Sequence, residues 1–277
     1  MPSGLRSAVL CLLMAGTVWT SSLSLVRVQF HQMEDGPALP GDFAYVPGEM
    51  VYFSTLVEGY KVTRDRVKLR WEVRAVDADG VLLDEPASGT VEEEIRPQDK
   101  EWRPRVRYQF LAPPLALPGT YTIRVDVTDE MAQTKAQIEA PFRLRGRPIE
   151  RSDTLAIQNL GFFRSEEDDR PLTVAGYRPG ETVWVRFDLT GYKFTAGNRF
   201  RVEYAVKVLN SAGEVLFAQD EPTAQENSSF YPQMYQPCIF NLSLDPDIAA
   251  AGYAIEVVAR DLQSGNETTG RAAFRVE

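Results

Sequence analysis

The sequence repeats itself at a fixed spacing, and this repeat constrains the fold more than any other feature. Tyr-Val-Pro-Gly-Glu at 45–49 recurs as Tyr-Arg-Pro-Gly-Glu at 177–181, 132 positions later, and Gly-Tyr-Lys at 59–61 recurs at 191–193. The same spacing of 132 relates four further pairs: Phe30 and Phe162, Tyr121 and Tyr253, Asp129 and Asp261, Phe142 and Phe274. We therefore expect two copies of one module of about 120 residues.

The composition is that of an ordinary globular protein. The chain has 277 residues, of which 44% are hydrophobic and 25% charged, and this length is sufficient for two domains that each bury a core. The formal net charge of −9 argues against nucleic acid as a partner, because binding to phosphates depends on clustered Lys and Arg.

The first residues differ from the rest of the chain. Arg6 precedes an apolar run from Ser7 to Trp19, which ends at a short polar stretch, 20–22. A membrane span needs roughly 20 apolar residues, so the run favours a signal peptide over residues 1–24. A buried N-terminal strand or helix is the alternative. We expect an exported protein, periplasmic or extracellular, with no stable membrane insertion after cleavage.

Within each module, apolar and polar residues alternate with the period of half-buried β-strands. In the first module Val67, Leu69, Trp71 and Val73 share one face, and in the second a similar run begins at Phe200. No segment has the pattern of an amphipathic helix. The prediction is an all-β chain of two tandem antiparallel sandwiches, each with about seven short strands. The expected modules span residues 25–146 and 155–277, joined by a short, semi-rigid link over residues 147–154.

One motif resembles a known family. Leu117–Val125 reads Leu-Pro-Gly-Thr-Tyr-Thr-Ile-Arg-Val and resembles the penultimate strand of immunoglobulin-like sandwiches, in which a tyrosine after a glycine turn bonds back to the backbone as a tyrosine corner. Residues 252–257 repeat it. The Tyr-x-Pro-Gly-Glu-x-Val phrase is similar to one found in macroglobulin-type and other bacterial immunoglobulin-like domains. The resemblance implies tandem immunoglobulin-like modules and carries no information on function.

The repeated phrases have structural explanations. Pro-Gly in the first phrase is typical of a turn before a strand. For Gly-Tyr-Lys at 59–61 we favour a tyrosine that packs at the strand end beside an exposed lysine. Contact of this aromatic and cation with a ligand is the alternative.

Few residues suit catalysis. The single histidine, His31, has Phe163 as its counterpart, and no Gly-x-Ser-x-Gly elbow occurs. The acidic runs are typical of solvated surface. Cys238 corresponds to Val106 and is expected to fill the core. We predict no catalytic residue, no metal site and no cofactor, although calcium binding near the acidic run 166–169 stays open.

The candidate binding residues form two sets, which are a ladder of arginines on one strand and two aromatic residues elsewhere. Arg103, Arg105 and Arg107 alternate with apolar residues, which places the three guanidinium groups on one face of a strand. Such a ladder suits an acidic polysaccharide or an acidic protein surface. Pairing with acidic side chains, or protection of a sheet edge, is the favoured explanation. We add Trp184 and Tyr235, expected to point outward.

The sequence therefore predicts a non-catalytic binding or spacer protein that contacts a protein at the cell envelope. A carbohydrate-binding protein is one alternative, with Tyr231, Tyr235 and Trp184 as its aromatic platform. A second alternative is a protease-inhibitor-like sandwich that presents a loop over residues 84–96 or 220–233. The identity of any protein or polysaccharide partner cannot be read from the residues.

Overall fold

A computed structural model of the chain describes residues 22–99 and 101–277. Most of the predicted signal peptide, with Cys11, lies outside these residues. β1 begins at Ser24, and Leu23 is buried in the core, so the first module includes two residues that the predicted boundary assigned to the signal peptide. Within the described part of the chain, no helix is long and apolar enough to cross a membrane.

The chain folds almost entirely into β-strands, as predicted. The strands of the first module are β1 Ser24–His31, β2 Ala44–Tyr45, β3 Met50–Glu58, β4 Arg66–Val76, β5 Ala87–Glu94, β6 Arg105–Leu111, β7 Gly119–Asp129 and β8 Thr134–Leu144. A single 3₁₀ turn, Pro97–Asp99, precedes β6. The strands of the second module are β9 Ala156–Phe163, β10 Gly176–Tyr177, β11 Thr182–Thr190, β12 Phe200–Asn210, β13 Val215–Ala218, β14 Thr223–Asn227, β15 Tyr235–Ser243, β16 Gly252–Asp261 and β17 Glu267–Val276.

Each module is a sandwich of two sheets. In the first module the sheet β1-β3-β6 faces the sheet β2-β8-β7-β4-β5. In the second module the order β9-β11-β15 corresponds to the first sheet, and β10-β17-β16-β12 continues at its edge into β13 and β14. This is the strand order of an immunoglobulin-like sandwich, and it confirms the predicted fold class.

Two features differ from the sequence prediction. β2 pairs with β8, and β10 with β17, in parallel over two residues each, although only antiparallel pairing was predicted. The two segments predicted as presented loops contain edge strands, β5 and β14. Their runs of Glu, Gln, Thr and Ser carry little hydrophobic alternation, because an edge strand needs only one partner and packs little on the core.

Both tyrosine corners are present. The hydroxyl of Tyr121 donates to the carbonyl of Leu117 at 2.7 Å, and that of Tyr253 to the carbonyl of Ala249 at 2.7 Å. Each tyrosine is buried beside a core phenylalanine, Phe142 or Phe274. The corner fixes the turn that leads into the central strand of the larger sheet, as the resemblance implied.

The repeated phrases close backbone hydrogen bonds. The carboxylate of Glu49 accepts from the backbone N–H of Val46 at 2.7 Å, and Glu181 accepts from Arg178 at 2.9 Å. Gly48 between them has a φ of +89°, which a side chain rarely adopts. These contacts explain Tyr-x-Pro-Gly-Glu as a turn motif.

Gly-Tyr-Lys is bound to a buried carboxylate in each module. Oδ2 of Asp129 accepts from the backbone N–H of Lys61 at 2.6 Å, while its Oδ1 accepts from Met131 and Ala132 at 2.8 and 3.0 Å. Asp261 accepts from Lys193 in the same way, at 3.0 Å. Both carboxylates are fully buried, so the Lys-to-Asp bond ties the end of one sheet to the end of the other.

Replacing Asp129 by Asn should destabilise the fold. The amide group would turn an NH₂ toward the backbone N–H groups that now share two carboxylate oxygens, leaving a buried donor without an acceptor at a cost of about 2 kcal/mol. Denaturant unfolding measures the loss, and Asp261→Asn should behave alike. The exposed carboxylate Asp42 gives the control, Asp42→Asn, which should leave the unfolding free energy unchanged. Equal stability of Asp129→Asn and the parent would contradict this role.

Candidate functional site

A segment of the second module is buried in the first. Residues 229–234 precede β15, and the side chain of Tyr231 belongs to the buried core cluster of the first module, with Met234 packed against the same cluster. The neighbouring Phe230 is 51% exposed. The two sandwiches therefore share apolar surface, and we call this contact the junction.

Two polar contacts lie at the edge of the junction and stabilise it. The Tyr231 hydroxyl donates to Oδ2 of Asp77 at 3.0 Å, and Nη1 of Arg151 lies 2.6 Å from Oδ2 of Asp79. Burial, together with the nearby Tyr121 and Asp77, raises the pKa of Tyr231, so its hydroxyl stays protonated and remains a donor. Asp77 and Asp79 thus serve the junction, since Asp77 accepts from the second module and Asp79 accepts from the link.

The link is fixed to the second module by a buried carboxylate. Asp188 on β11 is fully buried, and it accepts from Nη1 of Arg147 at 2.8 Å and from the amide of Asn159 at 2.9 Å. Burial raises the pKa of Asp188, while Asn159 and Arg147 oppose that shift. Gln158 adds two hydrogen bonds to the backbone of Glu150, at 2.9 and 2.7 Å. The link is therefore bound to the sheet of the second module that contains β9 and β11.

The arginine ladder is largely neutralised by acidic neighbours. Arg103 lies 3.2 Å from Glu58, and both Arg105 and Arg107 contact Asp35, at 2.8 and 3.1 Å. β6 is also the edge of its sheet, so the ladder fits the favoured explanation of ion pairing on an edge strand. Arg103 and Arg105, with Arg27, Tyr60 and Trp102, line an open cleft of about 1270 Å³.

The two aromatic candidates do not share a surface with the ladder. Trp184 is half-buried on β11, in the second module. Tyr235 is only 7% exposed, so the prediction that it points outward is wrong: β15 begins at this residue and turns its ring inward. Tyr231 is equally buried, in the junction. The three rings proposed as a carbohydrate platform therefore do not assemble.

His31 forms a hydrogen-bonded pair that is structural in its setting. Its Nδ1 donates to the carbonyl of Gly36 at 2.9 Å, and its Nε2 lies 2.8 Å from the hydroxyl of Ser54. At the corresponding positions of the second module Arg186 lies over the ring of Phe163, 4.7 Å from its centroid. Since a cation–aromatic contact takes the same place, the His31 and Ser54 pair is a contact between strands.

Cys238 is buried in the second core, and burial with the nearby Asp188 raises its pKa to about 12. The thiol is therefore protonated at neutral pH and unsuited to nucleophilic attack. Within residues 22–99 and 101–277, no group of three His, Cys, Asp or Glu side chains is placed to hold a metal ion.

Comparison with known proteins gives no family. No family model matches the chain, and no curated protein matches it. Red sea bream transglutaminase aligns with 91% of this chain at 8% identity and a TM-score of 0.26, and the chain spans 31% of that protein. The C-terminal domain of a Streptococcus pyogenes antigen I/II-family protein aligns with 92% of this chain and 99% of its own at 9% identity and a TM-score of 0.29. Such scores carry no inference, and the fold assignment rests on strand order.

Sequence reasoning missed the junction. Tyr231 was assigned to a platform or a loop, and its partner Asp77 lies 154 positions away, so neither residue signals the other. The one available signal was the failure of the repeat. The position equivalent to Tyr231 in the first module is Asp99, which means that this tyrosine is not required by the sandwich itself.

Replacing Tyr231 by Ala should uncouple the modules. Removal of a buried aromatic side chain lowers stability by about 3–5 kcal/mol, and here the loss falls on the shared surface. Calorimetry should show the first module unfolding at a lower temperature, separately from the second. The adjacent Phe230→Ala removes an exposed ring and should unfold as the parent does. A Tyr231→Ala profile identical to that of Phe230→Ala would contradict the junction.

The Asp35 pairs can be tested by titration. The Arg107 hydrogen bond, with Arg105, holds the pKa of Asp35 below its ordinary value. These ion pairs therefore stabilise the fold above the ordinary aspartate pKa, and the contribution is lost as pH falls through the lowered value. Arg107→Gln should raise the Asp35 pKa in a carboxyl NMR titration. The partner of Arg103 is Glu58, so Arg103→Gln should leave the pKa of Asp35 unchanged. A pKa shift of equal size in both variants would contradict the pairing.

Proposed function

We propose that the chain is an exported, non-catalytic protein whose two immunoglobulin-like sandwiches form a rigid spacer and hold a protein-binding surface at a fixed position at the cell envelope. The observation that carries the proposal is the burial of Tyr231, a side chain of the second module, in the core of the first. A flexible tether would need no such contact. Domains joined only through a linker move relative to one another by default, unless their interface is large and hydrophobic.

The link supports the same conclusion. Arg147 is bound to the second module through Asp188, and Arg151, four residues later, is bound to the first through Asp79. The segment between them thus has an attachment to each sandwich. Detaching the link from the second module would leave the fully buried carboxylate of Asp188 without its cationic partner, which is expensive.

Export rests on the sequence alone, on the charged start and short apolar run of residues 1–24. The non-catalytic part of the proposal is supported by the surroundings of His31, Ser54 and Cys238, whose contacts are those of structural side chains. The carbohydrate alternative loses support because Tyr231 and Tyr235 are buried. The inhibitor alternative loses support because strands occupy both of its loops.

Rigidity can be measured as a distance distribution. Spin labels at Ser88→Cys and Thr269→Cys, both exposed positions on different modules, would be introduced into a chain carrying Cys11→Ser and Cys238→Ala. Pulsed electron resonance should give a single narrow distance. Tyr231→Ala should broaden it severalfold, because the junction then no longer restrains the sandwiches, and Phe230→Ala should not. A broad distribution in the parent would overturn the spacer.

A further inference from the structure

The second module carries an apolar strand at its surface. All four residues of β13 are exposed, with Val215 and Leu216 at 55% and Phe217 at 47% of their full accessible area. Three consecutive large apolar side chains in water are unfavourable for a monomer and typically mark a contact surface.

β13 also has a free hydrogen-bonding edge. It pairs with β12 through Lys207, Val208 and Leu209, and within the described residues no strand pairs with its other side. An unpaired edge presents backbone N–H and C=O groups to any extended chain. The strand thus offers both backbone and apolar recognition in one place.

The first module shows that this exposure is not required by the fold. The turns over 77–80 and 210–213 close with the same backbone hydrogen bonds, 133 positions apart. The residues equivalent to Leu216, Phe217 and Ala218 are therefore Leu83, Asp84 and Glu85, and charged residues at an edge are of the kind that blocks strand addition. Leu83 is 3% exposed against 55% for Leu216. One copy therefore has a guarded edge and the other an open apolar edge on the same framework.

The border of β13 selects the charge of its partner. Residues 208–227 contain Glu214, Asp220, Glu221 and Glu226 and no Lys or Arg. The nearby cations are paired, since Lys207 contacts Glu256 at 3.3 Å and Arg201 contacts Glu226 at 3.8 Å. An apolar strand flanked by basic residues complements this border. The junction already uses the same chemistry, since the acidic Asp79 accepts Arg151 at 2.6 Å. A second copy of β13 would bring the same acidic border against itself.

We propose that β13 is a docking strand that adds an extended apolar segment of a partner protein, flanked by Arg or Lys, to the edge of the larger sheet. Main-chain hydrogen bonds supply affinity, while Val215, Leu216 and Phe217 supply apolar contacts and the acidic border supplies selectivity. This inference rests on the proposed binding role and names its surface and the class of its partner.

Hydrogen exchange of the full chain tests the proposal with a defined peptide. The probe is Arg-Arg-Val-Thr-Val-Thr-Val-Arg-Arg with blocked ends, and the comparison peptide has Glu in place of each Arg. The Arg peptide should slow amide exchange across 215–218 at least tenfold, and the Glu peptide should not. Absence of protection by the Arg peptide, or equal protection by both, would overturn the proposal.

Two variants separate docking from general charge effects. Leu216→Asp with Phe217→Glu replaces two exposed apolar side chains of β13 by carboxylates and should weaken binding of the Arg peptide at least tenfold. Val62→Glu with Val174→Asp adds the same charge at exposed sites elsewhere and should bind as the parent does. Equal binding by both variants would overturn the assignment to β13.

Sedimentation of the chain alone provides the last outcome. A dimer that is lost in the Leu216→Asp and Phe217→Glu variant would identify a second copy as the occupant and overturn the basic partner. The distance between the two spin labels depends on the junction and not on β13. Failure of the docking proposal would therefore leave that distance narrow, whereas failure of the spacer proposal would broaden it.

Discussion

Burial of Tyr231 is the contact on which the arrangement of the two sandwiches depends. Its ring is transferred from the surface of one module into the apolar core of the other, and its hydroxyl is left with one strong acceptor, Asp77. A buried hydroxyl without an acceptor would oppose the contact by a few kcal/mol. The pair therefore gives the junction a single geometry, because the apolar contact is favourable only where the hydroxyl reaches the carboxylate.

Within each sandwich a buried aspartate plays the comparable role. Asp129 and Asp261 lie at the end of a central strand and accept from the backbone of the lysine in Gly-Tyr-Lys. The glycine before it is also required. A Cβ on Gly59 would overlap the carbonyl of Ser22, and one on Gly191 would overlap that of Thr154. The repeated Gly-Tyr-Lys and the repeated aspartate are thus parts of one connection between sheets, which explains why both copies contain them.

Alternation and turn chemistry made the central strands and the tyrosine corners predictable, because those signals are local. β4, β7, β12 and β16 alternate over ten or more residues, and the corner hydroxyls bond only four positions back. The parallel pairs, the edge strands and the junction were not predictable in this way. Two residues are too few to show a period, the edge strands β5 and β14 carry mostly polar side chains, and Tyr231 lies 154 positions from Asp77.

Differences between the copies are more informative about function than their similarities. Positions that agree, such as Gly59 and Gly191, are accounted for by contacts within a sandwich. Positions that disagree divide into two groups. At one position the second module has Tyr231 where the first has Asp99, and the burial of Tyr231 forms the junction. Phe217 and Ala218 stand where the first module has Asp84 and Glu85, which removes charged residues from an edge, and both are exposed. Because exposure of the apolar side chains of β13 opposes solubility without adding to the fold, we infer that the compensation comes from a strand partner outside the sandwich.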